Sequence, residues 1–472
     1  MNFASYISKR IPFFYGWIVL GSAGSSMVVR NAASSLILAI FMYPMSEDLG
    51  WSRTLLVGAA SFGALASSLV APFIGWCVDR FGARPVLTIC VLLLGLSTFL
   101  TGWATVPLVF YITFGFARIL FNSPIQLTST VVVSRWFIKW RGRANGILFF
   151  CHSVGMTAFP LLASVIIAIY GWQMAWHLLG VIVWFVSLIP VYLLIAETPE
   201  SISLKPDGQN KTEENEFNDN VELDGENYWT LSDAITTSTL WKLAIAAGLF
   251  YVIHGGINAH MAAYFQDIGL SSTFSAVGVS LNAVFTGIGG LLFGWLIERM
   301  REKICYMIIA VIMGASALLF VSINNFAQAW IYASIFGVAL GGMLVVPPVA
   351  IANYFGRKSL GSIRGFTEIF VSLGQAIGGI VSGIIFDYRN NYDLAFFILA
   401  GVSIMAFMIV ATSSKPTNRP GECLRKFSIS LYPDPGPLPM EYGCHLLRFV
   451  LAKTEGFTHV LGHLPVKTRE IS

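Results

Sequence analysis

A ten-residue segment, GWCVDRFGAR from Gly75 to Arg84, returns 219 residues later as GWLIERMREK from Gly294 to Lys303. Gly75 matches Gly294, Trp76 matches Trp295, Asp79 matches Glu298, Arg80 matches Arg299 and Arg84 matches Lys303. The same offset relates Asp48 to Asp267 and Gly50 to Gly269 on another loop. A chain that repeats its loop signatures at one offset holds two copies of one unit. Both decapeptides lie between long apolar runs, so the duplicated unit is a set of membrane helices. Duplication inside a polytopic chain points to a transporter whose halves rock against each other.

Composition supports the membrane reading and excludes other classes. Hydrophobic residues make up 56% of the chain and charged residues 11%, whereas a soluble domain carries roughly a quarter charged residues. Most of the surface must therefore meet lipid. The net charge of +4 is too small to argue for nucleic acid. Six scattered cysteines (Cys77, Cys90, Cys151, Cys305, Cys423, Cys444) form no C-x-x-C pair, so neither a disulfide framework nor a metal site is expected. The chain contains no P-loop, H-E-x-x-H or G-x-S-x-G motif, which argues against an enzyme or an ATP-driven pump and calls for no cofactor. TGIGGLL from Thr286 imitates a dinucleotide-binding motif, but Leu292 replaces its last glycine and no strand precedes it.

A membrane helix needs roughly 20 mostly apolar residues, and twelve segments qualify. The first six are Phe14–Phe41, Leu55–Val78, Val86–Gly102, Leu108–Val131, Ala144–Ile169 and Ala175–Ile195. The second six are Trp241–Phe265, Ser275–Ile297, Ile304–Ile323, Gln328–Ala352, Phe366–Phe386 and Leu394–Ala411. The expected fold is an all-α membrane protein of two pseudo-symmetric six-helix bundles. An N-terminal tail at 1–13 leads into a bundle at 14–196. An acidic, solvated linker at 197–240 leads into a second bundle at 241–413, and a disordered tail follows at 414–472. One set of loops carries twelve Lys and Arg residues, among them Arg80, Arg84, Arg135, Lys139, Arg143, Arg299 and Arg357. The opposite set carries only Arg53 and Arg389. The positive-inside rule makes the first set cytoplasmic, together with both termini and the linker. A monomer in the plasma (inner) membrane is expected.

The decapeptide has a physical reading. Gly75 and Gly294 allow a neighbouring helix to approach closely, and Gly82 permits a tight reversal. Asp79 can accept hydrogen bonds from the start of a facing helix or from Arg84. Such a cluster at the seam between two bundles can form when that side closes and break when it opens. The gating set is therefore Gly75, Asp79, Arg80, Gly82, Arg84, Gly294, Glu298 and Arg299. A plainer reading makes these residues topogenic charges only.

GWCVDRFGAR resembles the loop 2–3 signature of the major facilitator superfamily, G-x-x-x-D-R-x-G-x-R, and the resemblance spans about residues 14–413. In the second copy Glu298 replaces the aspartate and Arg301 the glycine, which implies a weaker gate in that half. FYGWIVL from Phe14, LGWSRT from Leu49, RWFIKWRGRANGI from Arg135, PESISLKPDG from Pro199 and NYFGRKSLGSIRGF from Asn353 narrow the likeness. They are similar to the bacterial branch of oxalate/formate antiporters and monocarboxylate-transporter-like carriers. The resemblance implies alternating access around a midplane substrate site. It also implies a basic residue on helix 8 or helix 11, where this chain has Asn282 and Gln375.

An ionised side chain at mid-bilayer costs at least roughly 3 kcal/mol, so each needs a reason. Arg30 lies about 20 Å beyond the interfacial Trp17, and Arg118 about 15 Å inside helix 4, at 1.5 Å per residue. Ser22, Ser26, Arg30 and Ser34 form one stripe at spacing four; Arg118, Asn122, Gln126 and Thr130 form a second. His254 with Asn258, then Asn282 with Thr286, and Glu368, Ser372 and Gln375 add polar positions in the second half. No acid lies deep in the first-half helices, so a substrate anion would supply the counter-charge. The candidate binding set is Arg30, Arg118, Asn122, Gln126, His254, Asn258, Asn282 and Gln375. His152, His254 and Glu368 are candidates for proton coupling, although Glu368 also fits an i,i+4 ion pair with Arg364. The leading expectation is a secondary carrier, symporter or antiporter, for a small mono- or dicarboxylate. A carrier for a neutral or cationic solute of the efflux type and a non-transporting membrane sensor are the alternatives.

Overall fold

Every regular element in the computed structural model is helical, and the model describes residues 3–208 and 229–416. The expected C-terminal tail falls almost wholly outside the described residues, as does the middle of the linker. Among the described residues, eleven helical runs are long and apolar enough to cross a membrane. One of them, Arg141–Leu194, has 54 residues, or about 80 Å at 1.5 Å per residue, far beyond one bilayer. It divides at Gly171, whose φ of 81° and ψ of 170° leave the helical region. A side chain at such a φ is strained, and glycine is not. Twelve spans result.

We number them α1 (Gly16–Leu49), α2 (Arg53–Phe81), α3 (Ala83–Thr101), α4 (Pro107–Trp136), α5 (141–170) and α6 (172–194) in the first half. The second half holds α7 (Ser238–Asn258), α8 (Ser272–Leu296), α9 (Glu302–Val321), α10 (Phe326–Phe355), α11 (Leu360–Arg389) and α12 (Asp393–Ala411). Each lies on one of the apolar runs expected from the sequence.

Two spans are interrupted where the sequence suggests continuous stripes. In α1 the helix stops at Val29, a 3-10 turn covers Arg30–Ala33, and a new helix starts at Ser35. Ser34 caps that start, its hydroxyl accepting from the Ile37 N–H at 3.2 Å. In α4 the helix ends at Asn122 and restarts at Pro124. Proline disfavours helical geometry in the residue before it, and Ser123 sits at φ −130°, ψ −57°. The four-residue spacing of the stripes is therefore broken close to both deep arginines.

The repeated turns take similar paths with one local difference. Gly50 and Gly269 both hold positive φ, 65° and 89°. Gly82 has φ 95°, whereas its counterpart Arg301 has φ −62° and ψ 138°. The second turn follows another backbone route, so the arginine there carries no strain.

Candidate functional site

Two constellations draw on the residues singled out above. The first lies at the end of the bundle that carries the repeated turns. Asp79, near the end of α2, accepts from the backbone N–H of Gly361 at 2.9 Å and of Ser362 at 2.6 Å. These are the opening residues of α11 in the other half, and a helix start attracts negative charge. The Arg135 guanidinium of α4 completes the set at 3.1 Å. Glu298 does the same work in reverse. It accepts from the Arg143 N–H at 2.8 Å and from Arg143 Nε at 2.7 Å, at the start of α5. Arg143 and Ser362 are themselves 219 residues apart. Burial holds the Glu298 carboxyl above its ordinary value, against the opposing pull of the Arg143 contacts.

Glycines permit these contacts. A Cβ on Gly75 would sit 2.2 Å from the Gly361 carbonyl oxygen, and one on Gly142 would sit 2.2 Å from that of Gly294. The helices α2 and α11, and likewise α5 and α8, touch backbone to backbone at this end. Arg141 extends the contact by donating to Asn353 at 2.6 Å.

Three of the expected gate residues have other partners. Arg84 donates to the Tyr192 carbonyl at 2.6 and 3.0 Å, away from Asp79. Its counterpart Lys303 donates to the Ala411 carbonyl, again at the 219-residue offset. Arg80 and Arg299 lie over the rings of their neighbours Trp76 and Trp295, at 5.5 and 3.9 Å. The loop motif did not identify Arg135 as the partner of Asp79, because that pairing joins residues 56 positions apart. Gly82 leaves room for Glu197, which accepts from the Ala83 and Arg84 N–H groups at 2.7 and 2.9 Å. A cleft of about 410 Å³ opens beside Glu298, Lys139 and Arg301, and shares no residue with the second constellation.

The second constellation surrounds the breaks in α1 and α4. Arg30 donates to the Phe121 carbonyl at 3.0 Å, and Arg118 donates to the Ala33 carbonyl at 3.0 Å. Each arginine thus satisfies a carbonyl at the other span's interruption, a reciprocal clamp. Arg30 also donates to Gln126 Oε1 at 2.7 Å and to His152 Nδ1 at 3.3 Å. Arg118 reaches the Ser35 hydroxyl at 2.8 Å, and its Nε is buried without a partner. Both guanidinium groups lie over the Phe121 ring, 4.8 and 4.6 Å from its centroid. Their residues are 3% and 6% exposed, so water does little to offset their charge.

The second half adds to this cluster. Tyr251 on α7 interacts with Gln126. Glu368 on α11 is buried and bonds Arg364 at 2.6 Å, the i,i+4 pair. It also bears electrostatically on Arg30, an acid contributed from the opposite half that is bonded to Arg364 and to neither deep arginine. For Arg118 the charge brought to bear is the like charge of Arg30. His254 is half-buried beside Tyr251, its Nδ1 without a partner, and it bears electrostatically on His152.

Other expected binding residues are placed elsewhere or engaged locally. Asn122 donates to the Arg118 carbonyl on its own helix at 2.8 Å. Asn282 is buried and donates to the Ala333 carbonyl of α10 at 3.0 Å, a helix-packing contact. Asn258 is exposed, and Gln375 is half-buried where its backbone packs against Gly255. Among the described residues no group of His, Cys, Asp and Glu side chains could hold a metal.

Residues 22–281 and 243–430 match the family model of the Major Facilitator Superfamily. Monocarboxylate transporter 10 of Homo sapiens is 23% identical over 82% of this chain and 76% of its own. Multidrug resistance protein 2 of Bacillus subtilis (strain 168) is 24% identical over 71% of this chain and 80% of its own. The crystal structure of the human organic anion transporter MFSD10 (TETRAN) aligns with a TM-score of 0.62 at 14% identity, covering 84% of this chain and all but 1% of that one, a likeness of fold. The chain belongs to the Major Facilitator Superfamily: it is a multi-pass integral membrane protein of a transporter family, not an enzyme.

Proposed function

We propose that the chain is a secondary carrier for a small organic anion, a mono- or dicarboxylate, moved by alternating access. The observation that carries the reading is the pair Arg30 and Arg118. Both are buried at helix breaks, and no carboxylate is bonded to either among the described residues. The one acid among the described residues that bears on this cluster, Glu368, is already bonded to Arg364, and the charge that bears on Arg118 is the like charge of Arg30. A substrate carboxylate would neutralise Arg118 and could occupy its unpartnered Nε with a charge-assisted bond. Gln126, His152, Tyr251 and His254 would line the same space and set which anion fits. Asp79 with Arg135, and Glu298 with Arg143, act in this reading as paired latches that close the turn end while the opposite end admits solute. The positive-inside distribution supports a cytoplasmic location for the turn end and both termini. The name of the human relative, a monocarboxylate transporter, agrees with a carboxylate cargo.

The Bacillus relative named for multidrug resistance favours a second reading, efflux of a cationic or neutral compound. A buried carboxylate free to pair with a cation is its usual requirement, and the commitment of Glu368 to Arg364 weighs against it. A thermal-shift screen of the purified protein against carboxylates, amino acids, sugars and cationic dyes separates the two. Stabilisation by carboxylates alone is the expected result; stabilisation by dyes alone would transfer the proposal to efflux.

A further inference from the structure

The polar segment after α6, PESISLKPDG, is drawn tightly onto the turn end in place of hanging in solvent. Glu200 pairs with Arg357 at 3.2 Å. Asp207 accepts from three successive backbone N–H groups, Ile138 and Lys139 at 2.9 and 2.7 Å and Trp140 at 3.3 Å. Its φ of 56° is left-handed, a conformation that aspartate tolerates better than most residues. Glu197, at the root of the segment, caps α3 and lies 3.8 Å from Arg135. The returning end of the linker is also anchored, with Trp229 buried against Phe355 at the end of α10.

The two turns so gripped are equivalent. Residues 138–140 and 357–359 are separated by the repeat offset, and each immediately precedes a helix whose start is capped across the halves. Asp207 holds the turn before α5, whose cap is Glu298. Glu200 holds Arg357 on the turn before α11, whose cap is Asp79. Arg357 also donates to the Arg135 carbonyl at 2.9 Å, beside the Asp79 pair. A single linker therefore joins the same turn in both copies.

We propose that residues 197–208 form a strap that holds the turn end closed, with Asp207 and Glu200 as its clasps. It rests on the reading that this end opens and closes, but not on the identity of the solute. When the halves part here, the two turns separate. The chain from clasp to clasp starts in a 3-10 turn at Pro199–Ile202 and ends in a tight turn at Pro206–Gly208, where Asp207 is left-handed, and Ile202 is buried. Opening must then release a clasp or unravel those turns. The strap biases this end toward the closed state from outside the bundles.

The test is a distance measurement between spin labels at Phe81→Cys and Met300→Cys, one at the turn end of each half, with the other accessible cysteines replaced. Asp207→Asn is expected to raise the open-to-closed ratio by about tenfold, the effect of losing one charge-assisted grip. Glu200→Gln, at an exposed carboxylate, reads the same strap from the other turn if the Asp207 variant folds poorly. Asp79→Asn serves as the control for the gate. If it opens the turn end while both strap variants keep the parental distances, the strap is overturned. If Asp79→Asn itself leaves the distances unchanged, the gate reading fails first.

Discussion

Gly75→Ala probes the closed turn end without altering a single charge. The new Cβ would lie 2.2 Å from the Gly361 carbonyl oxygen, 2.8 Å from its carbon and 3.2 Å from the Gly365 Cα. Ordinary contact begins near 3.4 Å, so α2 and α11 must separate by about 1 Å, and the obstacle is backbone that no rotamer change can move aside. Overpacking of this kind costs about 1–3 kcal/mol. The cost falls only on the closed state, because the two helices are apart when the end is open. At 1.4 kcal/mol per factor of ten, the open-to-closed ratio should rise between about fivefold and a hundredfold. The helix shift would also lengthen the Asp79 contacts to Gly361 and Ser362, which adds to the effect. Gly142→Ala is the equivalent change in the second seam, with its Cβ 2.2 Å from the Gly294 carbonyl. Gly401→Ala, where nothing lies within 4 Å, is the matched control. Labelling of a cysteine at Ser134, which is buried beneath this end, reports opening. Faster labelling in Gly75→Ala and Gly142→Ala, and parental labelling in Gly401→Ala, is the expected pattern. If all three label at the parental rate, the glycine contacts do not set the closed state and the reasoning fails.

Asp79→Asn removes the charge that faces Arg135 and the start of α11, and should weaken closure by roughly 1.5–3 kcal/mol; slowed transport with normal expression checks it. Glu368→Gln leaves the buried Arg364 without its counter-charge, so a loss of thermal stability is expected, in the range of roughly 3–5 kcal/mol for breaking a buried pair. An unchanged melting temperature would free Glu368 for a coupling role. A cysteine at Lys139 should be labelled by membrane-impermeant reagent only from the cytoplasmic side, and one at Gly269 only from outside; the reverse pattern would invert the topology.

The sequence reads the architecture well because its signals are local. Apolar runs of the right length and a loop repeated at one offset need no knowledge of which helix lies beside which. The same holds for Asp79, whose place at a helix end suggested an acceptor for a facing helix start. Its partners are less legible: Arg135 lies on α4, and the N–H groups of Gly361 and Ser362 belong to the other half. The breaks in α1 and α4 left traces, Pro124 after Ser123 and the Ser34-Ser35 pair, but apolar periodicity overrode them. Those breaks release the carbonyls of Ala33 and Phe121, which turn two apparently unpaired arginines into a reciprocal clamp. Glu368 illustrates the same limit, since its reach to Arg30 follows from the meeting of two halves. The linker reads as solvated from its charge, yet Glu197, Glu200 and Asp207 find helix starts and turns that only the folded chain brings near.

The carboxylate reading meets its most direct test in equilibrium binding by purified protein, comparing the parent with Arg118→Lys and Arg118→Gln. Folding of each variant is checked by its melting curve. A carboxylate found by the screen should bind the parent, bind Arg118→Lys more weakly because the charge remains without the fork, and bind Arg118→Gln barely at all. Normal affinity in a folded Arg118→Gln, repeated in Arg30→Gln, would make both arginines structural clamps and contradict an organic-anion carrier.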